Sequence, residues 1–273
     1  MRLGIFAKTF PGSDPATVLA QAQAAGFDAV QYNMACSGLP SLPDTISPAQ
    51  AAAVRDAAAQ TGLAIAAVSG TYNMIHPDPA VRATGLVHLE VLAAAAATMG
   101  SRLITLCTGT RDPDDQWRGH PDNTSPDAWS DLLAEMGKAV AIAERYDIRL
   151  GIEPELSNVV DSAVRARQLL DTIASPRLAI VLDPANLFEH SSLAEQRDTI
   201  SRAIDLLADR IVMVHAKDRT VDGAFTAAGT GVLDYRHYIG RLRAIGFAGD
   251  VVTHGLTAAE APAVARFLRQ ALQ

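Results

Sequence analysis

Ile211-Val212-Met213-Val214-His215-Ala216-Lys217-Asp218 sets four aliphatic residues in an unbroken row and stops abruptly at ionisable groups. An apolar run of that length without alternation is the pattern of a strand buried on both faces, as in a parallel sheet. The same design recurs nearby. Ile148-Arg149-Leu150-Gly151-Ile152 ends at Glu153, Leu178-Ala179-Ile180-Val181-Leu182 ends at Asp183, and Val251-Val252-Thr253 ends at His254. Four runs that each finish in a residue able to bind a metal predict strand ends converging on one site.

Outward from that stretch the chain alternates strand and helix. Leu3–Phe6 is followed by a helix opened by Asp14-Pro15, running to Ala25 and closed by Gly26. Ala29–Tyr32 is the second strand, and Ser47-Pro48 opens an Ala-rich helix that ends at Thr61-Gly62. Ser or Asp before Pro is the pattern of an N-cap with proline in the first turn, and glycine marks the far end. Leu63–Val68, a helix from Asp78-Pro79 to Met99-Gly100, and Arg102–Cys107 continue the series. A long loop, Thr108–Thr124, precedes a helix opened by Ser125-Pro126. Strand five then ends at Glu153, a helix spans Asp161–Ile173, strand six ends at Asp183, and a helix spans Ser192–Ala208. Strand seven ends at His215, helix seven reaches Ile245, strand eight ends at His254, and Thr257–Ala271 is the last helix. Eight strand–helix units in 273 residues without a linker predict a single-domain closed (β/α)8 TIM barrel, residues 1–273. A dinucleotide-binding fold fits less well, because Ala7-Lys8-Thr9-Phe10-Pro11-Gly12 lacks the G-x-G-x-x-G pattern.

Composition narrows the partners. With 23 Lys+Arg against 30 Asp+Glu the net charge is −7, which opposes nucleic-acid binding. No stretch is read as approaching the roughly 20 apolar residues of a membrane span, and no signal-peptide pattern opens the chain. Two separated cysteines, Cys36 and Cys107, suit a reduced compartment, so a cytoplasmic location is expected. A small-molecule partner is therefore expected, with a homo-oligomer left open. No glycine-rich phosphate cradle and no G-x-S-x-G nucleophile motif occurs.

In a barrel, active groups stand at the carboxyl ends of strands, where Glu153, Asp183, His215 and His254 fall. Their mixed oxygen and nitrogen donors suit one divalent transition metal, Mn, Zn, Co or Fe, rather than calcium. Ile152-Glu153-Pro154, Asp183-Pro184-Ala185-Asn186, His215-Ala216-Lys217-Asp218 and Gly229-Thr230-Gly231-Val232-Leu233-Asp234 resemble the sugar phosphate isomerase/epimerase family with its xylose-isomerase-like barrel. The resemblance implies one divalent metal held by a strand-five Glu, a strand-six Asp, a strand-seven His and a strand-eight Glu. It also implies two glutamates that move a proton beside a carbonyl.

This chain departs at the fourth position, where Thr253-His254-Gly255 stands in place of the glutamate. Two carboxylates and two imidazoles around M²⁺ are formally neutral, which makes the metal a stronger Lewis acid than three carboxylates would. A ligating nitrogen cannot also shuttle a proton, so the facing pair of carboxylates needs a replacement. Glu155 and Lys217 are the nearest candidates. Lys217 alternatively binds a substrate oxygen or pairs with Asp218. Candidate substrate contacts on the same rim are His76, Trp117, His120, Asp218 and Asn186, the last where relatives carry a histidine. The expected activity is isomerisation or epimerisation of a small sugar, keto-sugar or polyol, with Glu153 or Glu155 as base. A metal-dependent lyase or dehydratase, or a barrel that binds sugar or metal without turnover, are the alternatives.

Overall fold

The computed structural model describes residues 1–273. The strands are β1 (Arg2–Phe6), β2 (Ala29–Tyr32), β3 (Ala64–Ser69), β4 (Leu103–Cys107), β5 (Arg149–Glu153), β6 (Leu178–Leu182), β7 (Ile211–Ala216), β8 (Asp218–Arg219), β9 (Phe225–Thr226) and β10 (Asp250–Thr253). The helices are α1 (Pro15–Ala24), α2 (Pro48–Thr61), α3 (Pro79–Met99), α4 (Pro126–Arg145), α5 (Ala163–Ile173), α6 (Leu193–Leu207), α7 (Tyr235–Ala244) and α8 (Ala261–Ala271). Eight parallel strands close in the order β1-β10-β7-β6-β5-β4-β3-β2, so the expected TIM barrel is the fold. The closing register pairs Leu3 with Val251 and Ile5 with Thr253.

Helix entries follow the local chemistry of the sequence. Asp14, Ser47, Asp78, Ser125, Ser162, Ser192 and Asp234 each accept a hydrogen bond from a first-turn amide, satisfying donors that have no partner inside the helix. Ser47 with Gln50 and Ser192 with Glu195 complete capping boxes. At the far ends of α2 and α3, Gly62 and Gly100 take left-handed φ of 71° and 101°.

The large core lies between strands and helices, where Ile5, Val30, Ile104, Leu150, Ile180, Val214 and Val251 meet helix residues such as Leu19, Leu92 and Ile204. A second, smaller cluster fills the barrel interior with Ala67, Leu103, Val181, Met213 and Val252. Space there is tight. A Cβ on Gly151 would come within 2.7 Å of Val181 Cγ2, so only glycine fits at that point of β5.

Three expectations are corrected. The helix expected over Thr257–Ala271 begins at Ala261, because Glu260 turns back to accept from the Thr257 amide and hydroxyl, at 2.8 and 2.7 Å, and closes a separate turn. Residues after strand seven form a two-stranded antiparallel sheet, β8 with β9, where only a loop was expected. Finally, α3 contains an 18-residue window of mean hydropathy 1.4, so one helix is long and apolar enough to cross a membrane by length and composition. Its apolar residues Leu89, Leu92, Ala93 and Ala96 are buried in the barrel's own core.

Candidate metal centre and active-site cavity

The interior packing places the functional side chains. Side chains along a strand alternate faces, so residues two positions beyond an inward-facing one face inward again. From the inner cluster Ala67, Leu103, Val181, Met213 and Val252, this step leads to Ser69, Thr105, Asp183, His215 and His254. From Gly151 it leads to Glu153. An apolar floor thus supports a polar layer at the carboxyl end of the barrel.

Within that layer Glu153, Asp183, His215 and His254 each offer one donor atom, all within 4.8 Å of one another. His215 Nδ1 is 3.0 Å from Glu153 Oε1 and 3.9 Å from Asp183 Oδ2, and His254 Nε2 is 3.1 Å from Asp183 Oδ2. Ligands bound at about 2.0–2.2 Å lie roughly 3 to 4 Å apart, depending on the angle between them. The donor types and spacings therefore fit a divalent ion with little rearrangement.

Neighbouring groups orient the donors. Gln31 on β2 accepts from His215 Nε2 at 2.8 Å, and its own amide nitrogen donates to Thr105 Oγ1 at 3.1 Å. That chain assigns the Nε2 proton and directs His215 Nδ1 toward the carboxylates. Asn186 donates to Glu153 Oε1 and accepts from Lys217 Nζ, both at 2.8 Å. Lys217 Nζ also lies 3.2 Å from Asp183 Oδ2. Its partners are thus Asp183 and Asn186, which corrects the alternative that it pairs with Asp218.

Burial alone would push Asp183 up, but Lys217, His254 and His215 together hold its carboxyl well below the usual carboxylate range. Burial opposes ionisation of Glu153 too, and His215 outweighs it, leaving that carboxyl lowered. His215 is raised: burial favours the neutral ring, yet the Glu153 carboxylate prevails. His254 is lowered by burial and by the adjacent His215, which favours a neutral ring with a free lone pair. Glu155 is pushed up to about 7 by burial and by the Glu153 charge. Divalent cations compete with protons for such a donor set, so loading it releases protons.

A cavity of about 580 Å³ stands over this layer, lined by Gln31, Glu153, Glu155, Asn186, His215, Lys217 and His254 among others. Glu155 lines it although β5 ends at Glu153, so the turn after Pro154 keeps the second carboxylate facing inward. Trp117, 52% exposed, forms part of the wall from the long loop after β4. Phe225 on β9 forms another part, with Lys217 Nζ 3.6 Å and Arg219 4.0 Å from its ring centre.

The remaining candidates fall elsewhere. Asp218 does not face the cavity: its carboxylate accepts from the amides of Arg219, Gly229, Gly231 and Leu233 at 2.8–3.1 Å, so it fastens the loop beyond β8 instead of touching substrate. His120 lies outside the cavity, because its ring accepts from the Asp122 amide and caps a short helical turn. His76 stands in an adjoining groove, its ring engaged by Pro113 O and the Asp78 amide. Two site residues escaped the sequence reading. Gln31 sits in a strand otherwise read as apolar, and its inward register two positions beyond Ala29 was the available signal. Phe225 belongs to a strand of two residues, too short to show a pattern.

The sequence profile described as the xylose isomerase-like TIM barrel matches residues 19–271, and the chain belongs to that family. Among solved structures it is similar to 3-keto-D-glucoside 4-epimerase from E. coli, at TM-score 0.77 and 18% identity, with 99% of each chain covered. It is also similar to L-ribulose 3-epimerase, at TM-score 0.77 and 20% identity, covering 99% of this chain and 94% of the other. A third similar structure is D-psicose 3-epimerase from Clostridium cellulolyticum, at TM-score 0.75 and 17% identity, with both chains covered completely (100%). These identities establish the shared fold. No curated protein sequence matches the chain.

Proposed function

We propose that this chain is a divalent-metal-dependent epimerase or isomerase of a small keto-sugar or related polyol, moving a proton at the carbon beside a carbonyl. The observation that carries this reading is the four-donor cluster at the base of a polar cavity, with a further carboxylate, Glu155, outside the donor set. Glu153, Asp183, His215 and His254 would hold the ion. When bound, a divalent ion polarises the substrate's carbonyl oxygen and so acidifies the neighbouring C–H.

The chain's own groups do the rest. Glu155 takes the carbon-bound proton, since Glu153 is committed to the donor cluster and to Asn186. Lys217, fixed by Asp183 and Asn186, donates to a substrate oxygen. Trp117 and Phe225 narrow the mouth and exclude water from the exchanging proton. The epimerase activities named for the similar barrels support the same reaction class.

A lyase acting on a keto-polyol is the second reading, favoured by one observation. His254 replaces the expected strand-eight carboxylate, so Glu155 has no facing glutamate partner, and elimination does not need one. Incubating the metal-loaded protein with a ketose panel in D₂O and following it by NMR separates the two. Deuterium appearing beside the carbonyl without loss of water supports epimerisation or isomerisation; a dehydrated product supports the lyase. Neither outcome across the panel would remove both.

A further inference from the structure

Next to the metal-lined cavity runs a second, more open groove of about 780 Å³, and Ser41, Leu42, Thr71, Gln116 and Trp117 line both. The cavity alone falls within the roughly 300–1,000 Å³ that encloses a complete small ligand. The groove therefore adds a second compartment of comparable size, continuous with the first. From these two compartments, and resting on the proposed sugar chemistry of the cavity, we infer that the substrate is a glycoside. Its reacting keto-sugar ring occupies the cavity and a second, uncharged sugar ring occupies the groove.

The groove is built into the fold. Its base is Tyr72, whose ring lies flat against Gly85 of α3; a Cβ there would come within 2.2 Å of Tyr72 Cδ2. Only glycine admits the ring at that depth. Tyr72 is then tied down by donating to the buried Glu135 carboxylate at 3.1 Å. Trp117 forms the divide between the compartments. It is half-exposed and held at its backbone by Asp115 Oδ1, 2.9 Å from its amide, which leaves the indole face for apolar C–H faces of a sugar.

Charge selects the class of second ring. The groove lining includes Asp112, Asp114 and Asp115 and contains no lysine or arginine. Asp112 is paired with Arg118 at 2.5 and 2.8 Å, and the exposed Asp114 lies 3.9 Å from the same guanidinium, whereas Asp115 has no cation within ion-pair distance. A phosphate or uronate there would meet the Asp115 charge with no lysine or arginine in the lining to offset it, His88 being paired with Asp44, while hydroxyl groups can donate to the Asp115 carboxylate. A neutral glycosyl unit is the match.

Calorimetric titration of the Mn-loaded protein with D-fructose, the keto-disaccharide maltulose and D-fructose 6-phosphate tests this. Maltulose is expected to bind at least about tenfold more tightly than D-fructose, and the phosphate ester no more tightly than maltulose. Thr84→Trp and Val81→Trp, on the groove side of α3 and outside the metal-lined cavity, should remove the maltulose advantage and leave D-fructose affinity within about twofold. Equal affinities, absence of maltulose binding, tighter binding of the phosphate ester, or equal losses for both neutral sugars in the variants would each overturn the inference. Binding is read without turnover, so failure of the epimerase reading, seen as no deuterium exchange, remains distinguishable.

Discussion

His254 Nε2 lies 3.1 Å from Asp183 Oδ2, closing a ring of donors in which an imidazole stands where the family resemblance implies a carboxylate. The His254 imidazole is tilted 60° to that of His215 with centres 4.5 Å apart, so the two histidines occupy adjacent corners of the cluster. If His254 ligates, His254→Ala should weaken Mn or Zn binding by about 10- to 100-fold, while His254→Glu should bind within about tenfold of the original. The glutamate variant should also shift preference from Zn toward Mn, since a hard oxygen replaces a nitrogen. Titration of the metal-free protein with each metal alone decides it; unchanged affinity in the alanine variant removes His254 from the donor set.

Gln31 acts one step further out. It contacts His215 Nε2 at 2.8 Å and touches none of the other three donors. Removing such an orienting partner typically costs about 10–100-fold in metal affinity. Gln31→Leu should show that loss, whereas Gln31→Glu, which keeps an acceptor, should retain most of the affinity. Equal loss in both variants would point to packing instead of orientation of the ring.

Asp218 shows where sequence reasoning and structure part. Its carboxylate receives four backbone amides, three of them from the Gly229–Leu233 segment. Hydrogen bonds to a charged acceptor contribute about 1.5–3 kcal/mol each, and buried amides left without partners are costly. Asp218→Ala should therefore lower unfolding free energy by roughly 3 kcal/mol or more, with a clear fall in Tm, and Asp218→Asn should lose less. A variant of unaltered Tm that loses only substrate affinity would restore the substrate role.

Much of this architecture was legible because it is encoded locally. Ser and Asp before Pro mark the helix starts at Asp14, Ser47, Asp78 and Ser125, and each side-chain oxygen accepts from a first-turn amide as the pattern implies. The four apolar runs reveal β5, β6, β7 and β10, and their terminal Glu153, Asp183, His215 and His254 do converge. Part of what failed is non-local. Asp218 follows a metal-competent histidine and reads like part of the rim, yet three of its four partners are amides 11 to 15 residues later in the chain. His120 and the Thr257–Glu260 pair are polar groups satisfied within their own turns. Gln31 gave no cue of its own, since a lone amide in Ala29-Val30-Gln31-Tyr32 only becomes informative once the barrel fixes which side faces inward.

Glu155 offers a test in the metal-free protein as well as in the working enzyme. Burial and the Glu153 charge push its carboxyl up to about 7, above the range of an unfolded chain. The folded state therefore holds this proton more tightly than the unfolded state does. As pH rises from the unfolded carboxyl range toward 7, the unfolded chain ionises first, so this group's stabilising contribution is lost across that window and stays lost above it. The difference is worth roughly 3 kcal/mol at pH 8. Glu155→Gln, which cannot ionise, should make the chelator-treated protein more stable than its parent at pH 8 and nearly equal to it near pH 4.5. In the metal-loaded protein the same change should cut turnover by about 10²- to 10⁴-fold, the usual contribution of a positioned base, with metal affinity within about threefold. Thermal unfolding across pH checks the first expectation and single-turnover proton exchange the second. Parallel stability profiles for parent and variant would show that Glu155 is ordinarily solvated, and a variant with full exchange would pass the role of base to another group.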